Sequence, residues 1–228
     1  MSQTVFAQLA QNGTPSREVR LAPVTGTIQS LPANLRTPLY LPKLGTGPQM
    51  TEDEVRESLR RFINDWRGII GADPVQLSLV ERTDERDGTK WAKYEQRPFR
   101  YPLRGNYGKL SIHFAADRRI LDISSTCIPD TEHLQAALAA ITPQITSEEA
   151  MKRVQDNPVT YVDANGNRQT YKLPASAKLS VIQLVIYALS STASDAIEFH
   201  LAWEVELTDA PIKAVYFDAV KKEIVGAG

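Results

Sequence analysis

Thr51–Gly71 reads TEDEVRESLRRFINDWRGIIG, and its spacing decides the fold class. Thr51 and Glu54 form a capping-box pattern, in which each side chain satisfies a free amide at the helix start. Val55, Leu59, Phe62, Ile63, Trp66, Ile69 and Ile70 then recur at steps of three and four, which places them on one apolar face of a helix. Arg56, Arg60, Arg61 and Arg67 lie mostly off that face and read as solvated. Gly71 supplies a C-terminal stop. Strand-like segments follow at Gln76–Glu81, Trp91–Gln96, Phe99–Leu103, Lys109–Phe114 and Ile120–Ser124. Within Lys109–Phe114, Leu110, Ile112 and Phe114 alternate with Lys109, Ser111 and His113, the period of a sheet with one wet face. A helix followed by antiparallel strands predicts an α+β layer with the helix covering the sheet.

Outward from this segment the pattern changes on one side and repeats on the other. Residues 1–49 hold Pro15, Pro23, Pro32, Pro38, Pro42 and Pro48 with four interspersed glycines, and read as an extended arm with short edge strands at most. Beyond Pro129, Thr131–Ile141 reads as a connecting helix with Leu134, Leu138 and Ile141 on one side, ended by Pro143. Thr146 and Glu149 open a second capped helix with Met151 and Val154 inward. Asn165-Gly166 marks a tight turn between strands at Val159–Val162 and Gln169–Leu173. Three more strands follow at Leu179–Leu189, Phe199–Leu207 and Ile212–Val220. In the second of these, Leu201, Trp203, Val205 and Leu207 alternate with His200, Ala202, Glu204 and Glu206, which predicts an inward apolar row containing Trp203 and a wet polar row. The expected organisation is an arm over 1–49, a helix-on-sheet domain over 50–129, a connecting helix over 130–144 and a second helix-on-sheet domain over 145–228.

Composition bounds the function. The chain has 228 residues, 42% hydrophobic and 23% charged, with a net charge of -1 and a pI near 6.3. No basic excess is available to hold a phosphate backbone, so nucleic acid is not an expected partner. The most apolar stretch, Leu179–Leu189, falls short of the roughly 20 residues of a membrane span and reads as a buried strand. Cys127 is alone and reads as a small buried residue on a strand. The start, MSQTVFAQLAQNG, lacks the basic and long apolar regions of a signal peptide, and Asn12-Gly13-Thr14 forms a glycosylation sequon.

The motifs that would carry catalysis are missing from the sequence. His113, His133 and His200 are the three histidines, and no two have the spacing of a zinc helix, so they read as independent surface residues. Neither a Gly-x-Ser-x-Gly elbow nor a phosphate-binding glycine loop occurs. The Gly105–Gly108 cluster lies between strands and reads as a turn or bulge. The expectation is a chain without catalytic residues, metal ligands or cofactor.

Specific segments then show a resemblance. RESLRRFINDWRGIIG (Arg56–Gly71), followed by Leu77-Ser78-Leu79, resembles the first helix and strand of fungalysin/thermolysin-type metalloprotease propeptides, the FTP domain. Tyr94–Gln96, Tyr101–Leu110 and DRRILDISSTCIP (Asp117–Pro129) are similar to the strands that come next in that domain. Ile145–Ala150, Leu201–Val205 and Tyr216–Val225 resemble the helix start and last strands of the PepSY domain that forms the second part of such propeptides. Two hairpin turns depart from the family pattern: Arg118-Arg119 and Lys221-Lys222 stand where glycine is usual.

The resemblance implies two cystatin-like units, each a helix packed on an antiparallel sheet. It also implies a non-catalytic module that inhibits or assists the folding of a secreted zinc metalloprotease of the thermolysin or fungalysin kind, outside the cytoplasm, in cis or in trans. A protease domain would then normally follow Gly228. The alternative is an extracytoplasmic PepSY-type binding module without a protease partner. The candidate contact residues are Arg118, Arg119, Lys221 and Lys222 at the basic turns, and Ile224, Val225, Gly226, Ala227 and Gly228 as a small, flexible segment leading into a protease cleft. Without glycine, both turns are expected to use another backbone geometry, because a non-glycine residue at positive φ costs about 1 kcal/mol or more.

Overall fold

The computed structural model describes residues 20–31, 38–47, 49–191 and 195–228. The sequon and most of the proline-rich start lie outside them. The fold is mixed α+β, with antiparallel sheets in two compact units. The first unit runs to Pro98 and resumes over Asn106–Thr131; the second takes Phe99–Gly105 and Glu132–Gly228.

The first unit opens with strands β1 (Arg20–Leu21) and β2 (Ile28–Ser30), joined by a turn with Gly26 in the left-handed region. Helix α1 (Glu52–Asp65) follows, and its capping box is formed: the Thr51 hydroxyl accepts from the Glu54 amide while the Thr51 amide donates to the Glu54 carboxylate at 2.7 Å. Val55, Leu59, Phe62 and Ile63 are buried as the spacing predicts. Ser58 is buried too, because its hydroxyl donates to the Pro42 carbonyl at 2.5 Å. The helix breaks at Trp66 and continues as a single turn, α2 (Arg67–Ile70), which Gly71 ends at φ 81. A side chain at Gly71 would overlap Thr27, so this position needs glycine for space as well as for conformation.

Strands β3 (Leu77–Asp84) and β4 (Lys90–Gln96) come next. The chain then makes β5 (Leu103–Gly105), which belongs to the second unit, and returns for β6 (Lys109–Phe114) and β7 (Ile120–Ser125). The first sheet has the order β3-β4-β6-β7, antiparallel throughout. Ala92, Ile112 and Ile123 stand opposite one another across three strands, fully buried on the helix face. Burying each isoleucine contributes about 1.5–3 kcal/mol. The stretch read as an extended arm adds Ile28, Leu31 and Leu41 to this core. Its apolar residues are too closely spaced with prolines for periodicity to reveal them, yet Thr27 and Leu31 are pinned by hydrogen bonds to the Ser125 carbonyl and the Asp122 carboxylate. Cys127 is buried in the same core, which pushes its thiol up to about 11.

The second unit contains helices α3 (Thr131–Ala139, its first residue counted with the first unit) and α4 (Ser147–Asp156), and the hairpin β8 (Val159–Val162) and β9 (Arg168–Tyr171). Its long strands are β10 (Lys178–Ser190), β11 (Ile197–Thr208), β12 (Ala214–Asp218) and β13 (Ile224–Ala227). Thr146 caps α4, with Ala150 and Val154 buried and Met151 half-buried. The β8–β9 turn contains Asn165-Gly166, as expected, and is longer than a two-residue hairpin turn. Gly166 alone is left-handed, and the Asp163 carboxylate accepts from the Asn165 and Asn167 amides, closing a longer loop.

The second sheet has the order β13-β12-β11-β10-β5. Its one parallel pair is β5 with β10. The segment Phe99–Leu103, expected as a strand among its sequence neighbours, is thus a correction: the strand is Leu103–Gly105 and it joins the other sheet. Gly105 is part of that strand, not of a turn, and a side chain there would overlap the Ala188 carbonyl. Helix α4 and the hairpin cover one face, where Ile145, Ala150, Val154, Val159 and Leu173 pack against Val205, Leu207, Val215 and Phe217. Trp203 faces the same side and donates its indole N–H to the Ile145 carbonyl at 3.2 Å.

Candidate functional site

The β12–β13 edge of the second sheet gathers most of the sequence-derived contact residues. Asp218 ends β12 and is 2% exposed. Its Oδ1 accepts from the Val220 and Lys221 amides, both at 2.7 Å, and its backbone amide donates to the Glu223 carbonyl. These bonds fold the turn tightly enough to hold Lys222 at φ 63. The expectation of another geometry is therefore corrected: the left-handed position is kept with lysine in it, and the Asp218 hydrogen bonds offset its cost. Lys221 and Lys222 both point their exposed side chains off the turn.

Ile224, Val225, Gly226 and Ala227 are not a loose tail. They form β13, paired to β12 through Val215–Ala227, Tyr216–Gly226 and Phe217–Ile224. Gly228 continues the ladder, with its amide on the Ala214 carbonyl at 3.0 Å and its carbonyl accepting from Lys213 and Ala214. Small residues serve here because the strand passes against Tyr187: a side chain at Gly226 would overlap its ring and hydroxyl. Among the described strands β13 is the last of the hydrogen-bonded ladder, and β8 of the hairpin packs close to it without joining the sheet.

Arg118 and Arg119 belong to the first unit. Arg118 also sits at positive φ, 75°, but its turn is covered. The Leu41 amide donates to the Arg118 carbonyl, the Arg118 guanidinium donates to the Leu41 carbonyl at 3.0 Å, and Tyr40 bridges to Arg119. Arg118 is therefore engaged within its own unit, while Arg119 remains exposed.

Behind the β13 edge, on the sheet face away from α4, lies a cluster the sequence did not reveal. Glu204 is 9% exposed and accepts from Arg104 Nε at 2.8 Å, Gln183 Nε2 at 3.0 Å and Tyr216 Oη at 3.4 Å. Tyr187 stacks on Tyr216 with ring centroids 4.4 Å apart. Burial, reinforced by the Glu204 charge, pushes the Tyr216 phenol up to about 12. Burial raises Tyr187 as well. The cluster joins side chains from β5, β10, β11 and β12, so it fastens four strands across one face. Val185 and Ala202, facing each other on the same side, are fully buried.

His200 is 6% exposed, which corrects its reading as a surface residue. Its Nδ1 lies 2.6 Å from Asp218 Oδ2, and its Nε2 lies 3.6 Å from Glu198. A carboxylate and the histidine it orients are two of the three members of a hydrolytic triad. Here the far nitrogen faces a second carboxylate instead of a nucleophile, so the pair locks β11 to the end of β12 and to the turn beyond it. His113 stacks on Trp91 in the first sheet at 4.1 Å, and His133 is exposed at the start of α3. Among the described residues, no three His, Cys, Asp or Glu side chains gather in a metal-holding arrangement. No described helix is long and apolar enough to cross a membrane.

The missed residues left one trace in the sequence. Ala202 lies in the supposedly wet row of β11, between His200 and Glu204, and a small apolar residue there fits a covered face better than a wet one. Comparison of the sequence with protein-family models and with characterised proteins finds no match.

Proposed function

We propose that this chain is a non-catalytic, propeptide-like module that inhibits, or assists the folding of, a secreted zinc metalloprotease of the thermolysin or fungalysin kind, in cis or in trans. In this reading the two units are cystatin-like, and the module works outside the cytoplasm. The observation that supports it most is the finish of the second sheet: an edge strand, Ile224–Ala227, led in by the exposed Lys221-Lys222 turn and braced from behind by Tyr187 and Tyr216. Such an edge can lend backbone hydrogen bonds to a folded partner. A module that binds the folded protease stabilises it by mass action, and a covalent link lowers the affinity required. Acting in trans, it needs a full interface of about 1,600 Å².

The test is inhibition of thermolysin-type proteases by the purified chain, together with their refolding yield in its presence. Slowed peptide hydrolysis or a raised yield is expected. The variant Lys221→Ala/Lys222→Gly keeps the turn geometry and removes its charge, and is expected to weaken the effect while leaving the fold intact. Absence of both effects on every such protease would sink the reading and leave the extracytoplasmic binding module without a protease partner.

A further inference from the structure

The first unit carries an open groove of about 450 Å³ that the proposed protease contact does not use. Arg56, Arg60 and Ile63 line one wall, a single stripe of α1. Pro74, Leu77, Leu79 and Tyr94 line the rest. The groove arises because α1 covers the middle of the sheet and leaves its edge strand β3 bare: Leu79 is 36% exposed and Val80 more so, as is Val75 in the turn just before the strand.

The two halves of β3 differ. From Glu81 to Asp84 the edge is blunted by charge, with Glu81 paired to Lys93, Arg82 to Glu52 and Asp84 to Lys90, and a bulge separates this half from the other. Charges and bulges are how edge strands avoid unwanted pairing. Leu77–Leu79, beside the groove, has neither, and the bulge falls on Val80. Above it, Arg60 is engaged by Glu57, whereas the Arg56 side chain has no ion pair or hydrogen bond among the described residues. An apolar floor, an unblunted strand edge and an uncommitted cation on the rim define the chemistry of the occupant.

We propose that this groove binds an extended peptide segment of a partner protein, which adds as a strand to the Leu77–Leu79 edge. Side chains of a strand alternate in direction, so one row faces the groove. That row carries two apolar residues over Leu77, Leu79 and Tyr94 and a carboxylate, two positions further along, that meets Arg56. Backbone pairing supplies affinity and the row supplies selectivity. The site lies in the first unit and does not depend on the protease reading.

The probe is a fluorescein-labelled peptide of alternating leucine and threonine ending its leucine row in glutamate, with its reversed sequence and with lysine replacing glutamate as controls. Binding is read by anisotropy, and amide exchange of the wild-type chain is read with and without peptide. One orientation of the acidic peptide is expected to bind, with slowed exchange at Leu77–Leu79. Arg56→Glu is expected to weaken it about tenfold, the effect of losing one hydrogen bond to a charged group. Leu79→Asp should weaken it comparably, and Lys221→Ala/Lys222→Gly should leave it unchanged. Equal binding of acidic and basic peptides, binding without protection of β3, displacement by a fatty acid with those amides still exchanging, or a dimer that disappears with Leu79→Asp would each overturn the proposal. The wild-type exchange measurement decides even if a variant misfolds.

Discussion

The two sheets solve the same packing problem differently. In the first, β6 buries Leu110, Ile112 and Phe114 on one face and leaves Lys109 exposed and Ser111 and His113 half-covered on the other. In the second, β11 buries both rows over its central residues, and the polar row holds an Arg104–Glu204 ion pair and a His200–Asp218 pair. Alternation therefore identifies a strand but does not say that the polar row is wet. A polar row is tolerated in a covered face when its charges are paired and hydrogen-bonded. Such pairs add little net stability over apolar residues of the same volume, but they penalise any register that separates them.

The largest effects come from the apolar rows. Phe62→Ala in the first unit and Phe217→Ala in the second are each expected to cost about 3–5 kcal/mol. Calorimetry with hydrogen exchange should show each substitution loosening its own unit first. Equal loss of protection in both units would dissolve the distinction between them. Next is the polar row of the second sheet. Glu204→Ala is expected to cost about 2–3 kcal/mol in urea unfolding, below the usual value for a broken buried pair because Arg104 keeps some contact with water. Ser111→Ala, on the polar row of the first sheet, should fall within about 0.5 kcal/mol. A comparable cost at both positions would break the contrast.

Gly226→Ala should cost about 1–3 kcal/mol through overpacking against Tyr187. Adding Tyr187→Leu should recover part of that loss, and a double-mutant cycle without coupling would contradict the geometry. The smallest effect is in alkali. Tyr94 in the first unit and Tyr216 in the second are both raised to about 12. Unfolding lets them ionise near 10, so their contribution is complete below that pH and disappears as pH rises through 12. Glu204→Gln removes a charge that raises Tyr216 and should bring its ultraviolet titration down, with Tyr94 unchanged. An unmoved Tyr216 would mean that burial alone sets it.

Local patterns were the legible part. The α1 cap, its buried face, Gly71 and the β6 alternation are all encoded within a few residues, and each is found as expected. What escaped depends on distant partners or on one-residue shifts. Leu103–Gly105 pairs with Ile186–Ala188, and a parallel partner so far along the chain leaves no local signature. Between Val181 and Gln183 a register shift moves Ile182 out of step, so Val181 and Leu184 share a face that strict alternation would separate. Arg104 and Glu204 are likewise a hundred residues apart. Of the contact candidates, the sheet edge at Lys221–Gly228 holds together as one surface, whereas Arg118 is engaged by a carbonyl at Leu41 that no sequence pattern announced.

The detour through β5 has a consequence for anyone who would cut this chain. A fragment beginning at Glu132 lacks Leu103–Gly105 and leaves β10, a 13-residue strand, with a bare edge that invites aggregation. A fragment ending at Thr131 carries β5 with no sheet to receive it. The same holds on the ribosome, where β5 leaves the tunnel seconds before the strand it pairs with has been synthesised. The second sheet is therefore completed only once β10 has been made, and until then the first unit must fold around a loop that is waiting for its partner.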